Sequence, residues 1–264
     1  MYYIDAAILG IVQGITEFLP VSSTAHVELI SQLFNLHDLG KNFAILLNLG
    51  TLLALISFFW KDFCKLFIGG INFLVNKKTD DRDFFLKILL ASIPTILIFG
   101  SAELYNIEVK STLISGICLI VFGIVLFFCD RCADSKTVVD RRDGILIGIA
   151  QLLSFVPGVS RLGACLSMGR FLEYSREESF RFSMILSIPA AGGACCLKLL
   201  KIIIGQIEFS NWSEAFVGVA TAFVIGLITL FLIMRFLKTH SFCGIVIYRI
   251  FFGIFVLFHF FRSY

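Results

Sequence analysis

The chain alternates between long apolar stretches without a charged residue and shorter segments that carry most of its charges. The charge-free stretches are 42–60, 88–102, 111–129, 144–160, 182–197 and 215–234. A helix needs roughly 17–25 mostly apolar residues to cross the hydrocarbon core of a bilayer. When a flanking charge is allowed to reach the interface, the pattern predicts six spanning helices, at about 42–60, 84–101, 111–129, 180–199, 213–235 and 243–262.

Two further apolar regions, 4–35 and 144–172, are interrupted near their middle by proline and serine. The interruptions read Pro20-Val-Ser-Ser-Thr and Pro157-Gly-Val-Ser-Arg. Each half has only about 11–17 residues, so it is too short to cross a bilayer and favours a re-entrant hairpin. The sequence therefore predicts an all-α polytopic membrane protein with six transmembrane helices and two re-entrant helical hairpins.

Composition favours a membrane protein over a large soluble helical bundle. Charged residues make up 16% of the chain, whereas soluble domains carry about 25%. The net charge of +3 comes without a basic stripe, so we expect no nucleic-acid partner. Most of the eight cysteines lie in or beside apolar segments, and we expect them to pack there rather than form disulfides or bind zinc.

Lysine and arginine are concentrated in four connecting segments, which are 61–83, 130–143, 164–181 and 235–242. The positive-inside rule places such segments in the cytoplasm. The intervening segments are poor in basic residues, and they are 1–40, 102–110 and 198–212. Six crossings and two hairpins then put both termini on the outer face of the membrane.

The two interrupted regions resemble each other. Residues 8–22 read ILGIVQGITEFLPVS and residues 146–160 read LIGIAQLLSFVPGVS, so that Gly10 aligns with Gly148. With a gap of one residue the two prolines also align. Gln13 aligns with Gln151 as well. The joint match of glycine, glutamine, proline and spacing indicates an internal repeat rather than a chance similarity of apolar strings.

The repeat divides a single membrane domain into two halves, 1–130 and 141–264. Each half contains one hairpin and three spans, and an odd number of crossings requires the second half to be inverted relative to the first. Inverted repeats place their binding site where the interrupted helices meet. We therefore expect the two proline–serine turns to converge on one cavity.

Glu17 is the only acidic residue between Asp5 and Glu28, and it lies in apolar surroundings. An ionisable group at that depth indicates function, with an interhelical hydrogen bond as the structural alternative. Gln13 precedes Glu17 by one helical turn, so both side chains point from one face. Carboxylate and amide oxygens are ligands of Mg²⁺ and Ca²⁺, which makes Gln13 and Glu17 candidate ligands of a divalent cation.

Further polar residues follow Glu17 in the first turn. Pro20 ends the first helix, and Ser22 or Ser23 then lies where a second helix needs its N-cap. The N–H groups at such a helix start can bind a phosphate. His26, one turn further on, can act as a general acid or base or as a nucleophile. Each residue alone is most often structural, but their convergence with Glu17 indicates a site.

The second turn contributes Ser160 and Arg161. Arg161 is the only charged residue in the segment 144–169, and its planar guanidinium suits bidentate contact with phosphate. The alternative is a salt bridge with Glu17, and we expect the pair in the empty site and the phosphate contact in the loaded one. Gly158 is expected to allow close approach of the backbone.

These residues together resemble the undecaprenyl-diphosphatase family, also called bacitracin-resistance proteins. The matching runs are Gln13-xxx-Glu17, then Phe-Leu-Pro-Val-Ser-Ser-Thr-x-His26, and later Pro157-Gly-x-Ser160-Arg161. The resemblance covers essentially the whole chain. It implies hydrolysis of undecaprenyl diphosphate to undecaprenyl phosphate and inorganic phosphate in the bacterial inner membrane. It also implies a divalent cation, bacitracin resistance and an active site that opens toward the outer face.

The resemblance also implies roles at matching positions. It indicates four catalytic residues, which are Glu17, Ser23, His26 and Arg161. Four neighbours are expected to bind substrate, and they are Ser22, Thr24, Gly158 and Ser160. Gln13 replaces the first acid of the family's paired-acid motif, which leaves one carboxylate for a cation. The sequence does not choose between Ser23, His26 and water as the nucleophile.

The expected partners are a polyprenyl diphosphate lipid and the surrounding membrane lipids, with a homodimer as an open alternative to a monomer. The rival function is that of a secondary transporter or a polyprenyl-phosphate flippase, because inverted repeats with interrupted helices also build transporters. A transporter needs no serine–histidine pair beside a carboxylate, and it releases no phosphate. A structural scaffold leaves the isolated charges of Glu17 and Arg161 unexplained.

Overall fold

The structure is a computed structural model that describes residues 2–36, 41–105, 109, 111–205 and 212–262. These residues form eleven α-helices and one short 3₁₀ helix, Leu152–Phe155. The α-helices are α1 (Tyr3–Thr16), α2 (Ser23–Leu33), α3 (Lys41–Phe58), α4 (Trp60–Leu74), α5 (Asp80–Leu104), α6 (Thr112–Cys129), α7 (Arg141–Gln151), α8 (Arg161–Phe171), α9 (Arg176–Ile203), α10 (Trp212–Leu237) and α11 (Cys243–Arg262).

Five of the described helices are long and apolar enough to cross a membrane, and they are α5, α6, α9, α10 and α11. They coincide with the last five predicted spans, so the chain is an all-α polytopic membrane protein. The first predicted span, 42–60, coincides with α3. The stretch of α3 over which every side chain is described, Leu46–Phe58, is a shorter apolar helix, and α3 as a whole has 18 residues.

Helix α4 was not predicted from the hydrophobic pattern. It occupies part of the connecting segment 61–83 and exposes Phe67, Ile71 and Leu74, whereas Asp62 is buried. Charged residues interrupt its apolar positions at helical spacing, as in an amphipathic helix. A search for long charge-free stretches therefore passes over it.

The two glycines that align between the repeats lie at close helix–helix contacts. A Cβ atom on Gly10 of α1 would lie 2.6 Å from the carbonyl oxygen of Gly218 in α10. A Cβ atom on Gly148 of α7 would overlap the carbonyl group of Ala91 in α5. The missing side chains let α1 approach α10, and α7 approach α5, as small residues do between membrane helices.

Each of the two helical hairpins returns to the side from which it starts. The Tyr174 hydroxyl, beyond the end of α8, donates a 2.8 Å hydrogen bond to Asp143 in the first turn of α7. Ala6 in α1 and Leu36 beyond the end of α2 likewise belong to one hydrophobic cluster. The turns between α1 and α2 and between α7 and α8 are therefore the tips of the hairpins.

The four segments that are rich in basic residues lie together at one end of the bundle. Arg181 forms an ion pair with Asp62, and Arg176 contacts Asp130 at 2.7 Å. The same Asp130 accepts a 3.0 Å hydrogen bond from the backbone N–H of Phe242. The segments predicted on the opposite side lie partly outside the described residues, at 37–40, 106–108, 110 and 206–211.

The largest buried hydrophobic cluster fixes the first turn inside the bundle. Its member Phe18 directly follows Glu17 and is 1% exposed. Leu52 of α3, Leu162 of α8 and Leu230 of α10 belong to the same cluster. Burial of one such side chain stabilises the fold by about 1.5–3 kcal/mol, so Phe18 anchors the segment that carries Glu17.

Candidate active site

A cavity of about 310 Å³ lies between the two hairpin tips. Its walls come from the end of α1, from both turns, and from α3, α8 and α9. Seven predicted site residues line it, namely Glu17, Ser22, Ser23, Thr24, Gly158, Ser160 and Arg161. The structure therefore brings the two proline–serine turns to one cavity.

An ion pair joins the two turns inside this cavity. The Arg161 Nη2 atom donates a 2.6 Å hydrogen bond to Oε1 of Glu17. The side chains are partly buried, with 17% of Glu17 and 29% of Arg161 exposed. Removing either partner would leave a partly buried charge without its counter-ion, which is costly in a protein interior. Glu17 and Arg161 thus form the salt bridge anticipated from the sequence.

The second oxygen of Glu17 accepts two further hydrogen bonds. The Ser23 hydroxyl donates one at 2.7 Å, and the Gln13 amide nitrogen donates one at 3.0 Å. The same amide nitrogen lies 2.6 Å from Oδ1 of Asn48 in α3. A hydroxyl that donates directly to a carboxylate has a base in place to receive its proton.

Both turns contain a serine with a positive backbone φ. Ser22 (φ 69°) is the N-cap of α2, and Ser160 (φ 71°) is the N-cap of α8. Non-glycine residues in such conformations cost about 1–3 kcal/mol each, and the strain is typical of functional sites. The first N–H groups of a helix have no partner within it. The starts of α2 and α8 thus provide two sets of donors suited to an anion.

The ring of His26 lies against α11, and His26 is not among the described residues that line the cavity. Its Nδ1 atom lies 2.8 Å from the carbonyl oxygen of Ser22, so Nδ1 carries the proton, because a carbonyl oxygen only accepts. Its Nε2 atom then accepts a 2.7 Å hydrogen bond from Tyr248. The ring stacks on Phe252 with centroids 3.7 Å apart. These contacts hold the His26 ring against α11.

Several polar residues at the site were missed by the sequence analysis, and Arg249 and Asn48 are the two that contact its turns or its predicted residues. Arg249 of α11 is fully buried and donates to the carbonyl oxygens of Pro20 at 2.6 Å and Val159 at 2.5 Å. It is the only Asp, Glu, Lys or Arg in the segment 239–261, so the criterion that identified Arg161 also applied to it. Asn48 is an amide inside the apolar run of α3, which is a weaker indication.

The donor atoms at the site fit a cation that is shared with a substrate. In the described part of the chain, no three His, Cys, Asp or Glu side chains form a group that could hold a metal ion. The site offers one carboxylate, Glu17, and the amide side chains of Gln13 and Asn48. Mg²⁺ is usually bound by one or two carboxylates together with substrate phosphates. The residues therefore fit a divalent cation that arrives with, or is completed by, a phosphorylated ligand.

Comparison with known proteins identifies the family. Residues 6–255 match the family described as bacitracin resistance protein BacA. The chain belongs to this family. Because the match covers both hairpins, Glu17 and Arg161 both fall within the shared region.

This BacA family member is similar to curated relatives over almost the entire length of both chains. Three of these relatives illustrate the match, and each is named undecaprenyl-diphosphatase. The relative from a Nocardioides species is 36% identical over 260 residues, which cover 95% of this chain and 94% of the relative. The relative from Pelotomaculum thermopropionicum is 36% identical over 262 residues, with coverage of 97% and 96%. The relative from Alcanivorax borkumensis is 34% identical over 264 residues, with coverage of 98% and 99%.

Proposed function

We propose that this member of the bacitracin resistance family hydrolyses undecaprenyl diphosphate to undecaprenyl phosphate and inorganic phosphate. The reaction recycles the lipid carrier of cell-wall synthesis and confers resistance to bacitracin. The observation that carries the proposal is the contact of Arg161 and Ser23 with the two oxygens of Glu17 inside one cavity. The names of the full-length relatives support the choice of substrate.

In the proposed complex, Arg161 and the two helix starts bind the diphosphate. The Arg161 guanidinium leaves Glu17 and contacts phosphate oxygens through two parallel hydrogen bonds. Ser22, Thr24 and Ser160 contribute hydroxyl or backbone N–H donors at the starts of α2 and α8. Gly158 (φ 88°) adopts a conformation that suits glycine, and a Cβ atom on it would overlap the backbone of Ser115 in α6.

Ser23 is the proposed nucleophile and Glu17 its base. Once Arg161 contacts the phosphate, the Glu17 carboxylate accepts the Ser23 proton along their 2.7 Å hydrogen bond. The Ser23 oxygen bonds to the terminal phosphorus while the bond to the bridging oxygen breaks, and undecaprenyl phosphate leaves as an anion. Glu17 releases its proton to solvent, and a water molecule then hydrolyses the phosphoserine to inorganic phosphate and free serine.

The role of His26 as a proton carrier stays a prediction. Its ring contacts Ser22 and Tyr248 rather than the cavity. This contact supports a second role, in which His26 fixes the start of α2 through the Ser22 carbonyl. These contacts favour Ser23, which donates to Glu17, over His26 as the nucleophile.

A divalent cation, Mg²⁺ or Ca²⁺, completes the proposed site. Glu17 would hold it together with the phosphates, and the side chains of Gln13 and Asn48, which are hydrogen-bonded to each other beside Glu17, would supply amide oxygens. When bound, such a cation neutralises charge that develops on the transferred phosphoryl group.

The proposed arrangement in the membrane has six spans, with α3 as the sixth, and two re-entrant hairpins. The two ends of each hairpin contact each other, and this supports the re-entrant arrangement. Inverted repeats over 1–130 and 141–264 would pair α1 with α7 and α5 with α10. The glycine contacts agree with this pairing. Gly10 packs α1 on α10 in one place, and its repeat counterpart Gly148 packs α7 on α5 in the other.

We further propose that the protein lies in the bacterial inner membrane with both termini and the cavity on the outer side. The clustering of the four basic segments at one end supports this orientation through the positive-inside rule. Val109, which lies in the basic-poor segment 102–110, lines the cavity. The cavity therefore extends toward the end opposite to the basic segments.

Phosphate release by the purified protein tests the proposal against the transporter alternative. Protein in detergent, incubated with undecaprenyl diphosphate and Mg²⁺, is expected to release inorganic phosphate in proportion to enzyme concentration. A transporter or flippase has no membrane to work across in detergent and would release none. Absence of release from folded wild-type protein would refute the proposed hydrolysis.

A further inference from the structure

We infer that Arg249 is a positioning residue that holds both hairpin tips in their phosphate-binding shape, an inference that rests on the proposed function. Arg249 lies in the middle of α11 and is completely buried. Its Nη1 atom donates to the Pro20 carbonyl at 2.6 Å, and its Nη2 atom donates to Gly158 at 2.9 Å and to Val159 at 2.5 Å. One side chain thus joins a turn from each half of the chain.

The guanidinium is also fixed to a neighbouring span. Its Nε atom donates a 2.9 Å hydrogen bond to the carbonyl oxygen of Leu119 in α6. Arg249 therefore uses each of its nitrogen atoms to donate to backbone carbonyls, and none of these acceptors can move as a side chain does. A planar group with several donors in fixed directions is required for such a contact, and lysine does not supply it.

The carbonyls that Arg249 binds stand at equivalent places in the two turns. Pro20 is two residues before Ser22, and Gly158 is two residues before Ser160, which are the two N-cap serines with positive φ. These conformations persist only where surrounding contacts enforce them. Arg249 supplies that contact to both turns at once.

The contact also determines the direction of a backbone donor at the site. In a planar trans peptide the C=O and N–H bonds point in opposite directions. Because the Val159 carbonyl faces Arg249, the N–H of Ser160 points away from Arg249. Ser160 lines the cavity, so the contact of Arg249 with Val159 determines the direction in which the start of α8 presents its N–H donors to a phosphate.

The charge of Arg249 is not neutralised locally. Among the residues that the structure describes, no carboxylate forms an ion pair with it. A buried charge without a counter-ion is costly, and here it lies directly behind two turns that bind an anion. Its field therefore favours the bound diphosphate in addition to its effect on the shape of the turns.

A substitution at Gly163 can disturb the contacts of Arg249 with the turns without changing the charge of Arg249. A Cβ atom at this position would lie 2.7 Å from Nη1 of Arg249, the nitrogen that contacts Pro20. A methyl group there displaces the guanidinium from the first turn. Gly163→Ala thus changes only the position of the guanidinium. Arg249→Lys keeps the positive charge but loses the planar group with several donors.

The test measures kcat and KM for undecaprenyl diphosphate with Arg249→Lys, Gly163→Ala and the exposed control Arg235→Lys. We expect kcat to fall about 100-fold in Arg249→Lys, since misplacement of a site by about 1 Å has an effect of this size. A smaller fall in the same direction is expected in Gly163→Ala, while Arg235→Lys retains wild-type kcat. The unfolding midpoint of each variant is recorded beside the rates.

The outcomes separate positioning from mere stability. A loss of kcat in Gly163→Ala with an unchanged unfolding midpoint supports the inference even if Arg249→Lys does not fold. Wild-type kcat in folded Arg249→Lys, or in Gly163→Ala, would overturn it. Wild-type phosphate release is measured in the same experiment, so its absence would refute the proposed function rather than the role of Arg249.

Discussion

Glu17 and Arg161 lie 144 positions apart in the chain, yet their side chains form a 2.6 Å ion pair across the cavity. Each belongs to a different hairpin, so the contact joins the two halves at the site. In the proposed mechanism, a diphosphate that takes the Nη2 donor of Arg161 displaces Glu17, and the Glu17 carboxylate then accepts the Ser23 proton. The proposal thus couples substrate binding to activation of the nucleophile.

Arg161→Lys keeps the positive charge but removes the planar fork. We expect kcat/KM for undecaprenyl diphosphate to fall about 100-fold or more, because donors to a developing charge contribute effects of this size. Steady-state release of inorganic phosphate measures the change, and the exposed Arg142→Lys serves as the control. Activity close to wild type would show that bidentate contact is not used.

Ser23→Ala removes the proposed nucleophile. We expect kcat to fall about 10³-fold or more, as when the nucleophile of a catalytic unit is removed. Wild-type protein, quenched in acid after brief contact with substrate labelled in the terminal phosphate, should carry label on Ser23. Ser31→Ala is the control, because its hydroxyl donates to the backbone carbonyl of Val27 in its own helix. Persistent turnover by Ser23→Ala would contradict this role and leave water or His26 as the nucleophile.

Gly148→Ala tests the contact between α7 and α5. The added methyl group meets the backbone of Ala91, which cannot yield as a side chain can. We expect destabilisation by about 1–3 kcal/mol, measured as the unfolding midpoint in detergent. Gly193→Ala in α9 is the matched control, since a Cβ atom there has open space and helix propensity predicts a gain of up to about 1 kcal/mol. Equal midpoints for the two variants would contradict the packing.

Asp143 near the start of α7 gives a pH-dependent contribution to stability. Burial acts to raise its pKa, but hydrogen bonds from Lys136 and Tyr174, together with nearby charges, leave the pKa below its usual value. A depressed folded-state pKa means that the ionised carboxylate stabilises the fold above about pH 4. This contribution is lost as the pH falls through the folded-state pKa.

Asp143→Asn should therefore lower the unfolding midpoint near neutral pH and have a shrinking effect in acid. A loss of about 1.5–3 kcal/mol is expected from hydrogen bonds to a charged group. Asp83→Asn is the control, because its ion pair with Arg141 is exposed and such pairs contribute little. A deficit of Asp143→Asn that does not depend on pH would contradict the assignment.

The sequence was sufficient to predict the spans, because the length and apolarity of a membrane-crossing helix are properties of one continuous segment. Five predicted spans coincide with helices that meet those criteria. Helix α4 could not be found in this way, since its apolar positions are interleaved with charges. Whether a helix is amphipathic at an interface depends on the neighbours that it meets.

Part of the candidate site could also be predicted, because isolated charges in apolar segments are costly and therefore informative. Glu17 and Arg161 were identified on this basis, and the structure brings them together. The direction of the His26 ring could not be predicted, because it depends on Tyr248 and Phe252 of a distant helix. Arg249 carried the same indication as Arg161, but its partners are backbone carbonyls with no distinctive residue type.

The most direct test of the account is the rate of phosphate release from undecaprenyl diphosphate by purified Glu17→Gln. Glutamine retains the shape of the side chain but cannot accept the Ser23 proton or balance the charge of Arg161. We predict a fall of about 10³-fold or more, within the range for loss of a general base, while the exposed Glu28→Gln remains as active as wild type. A folded Glu17→Gln protein that releases phosphate at the wild-type rate would contradict the account.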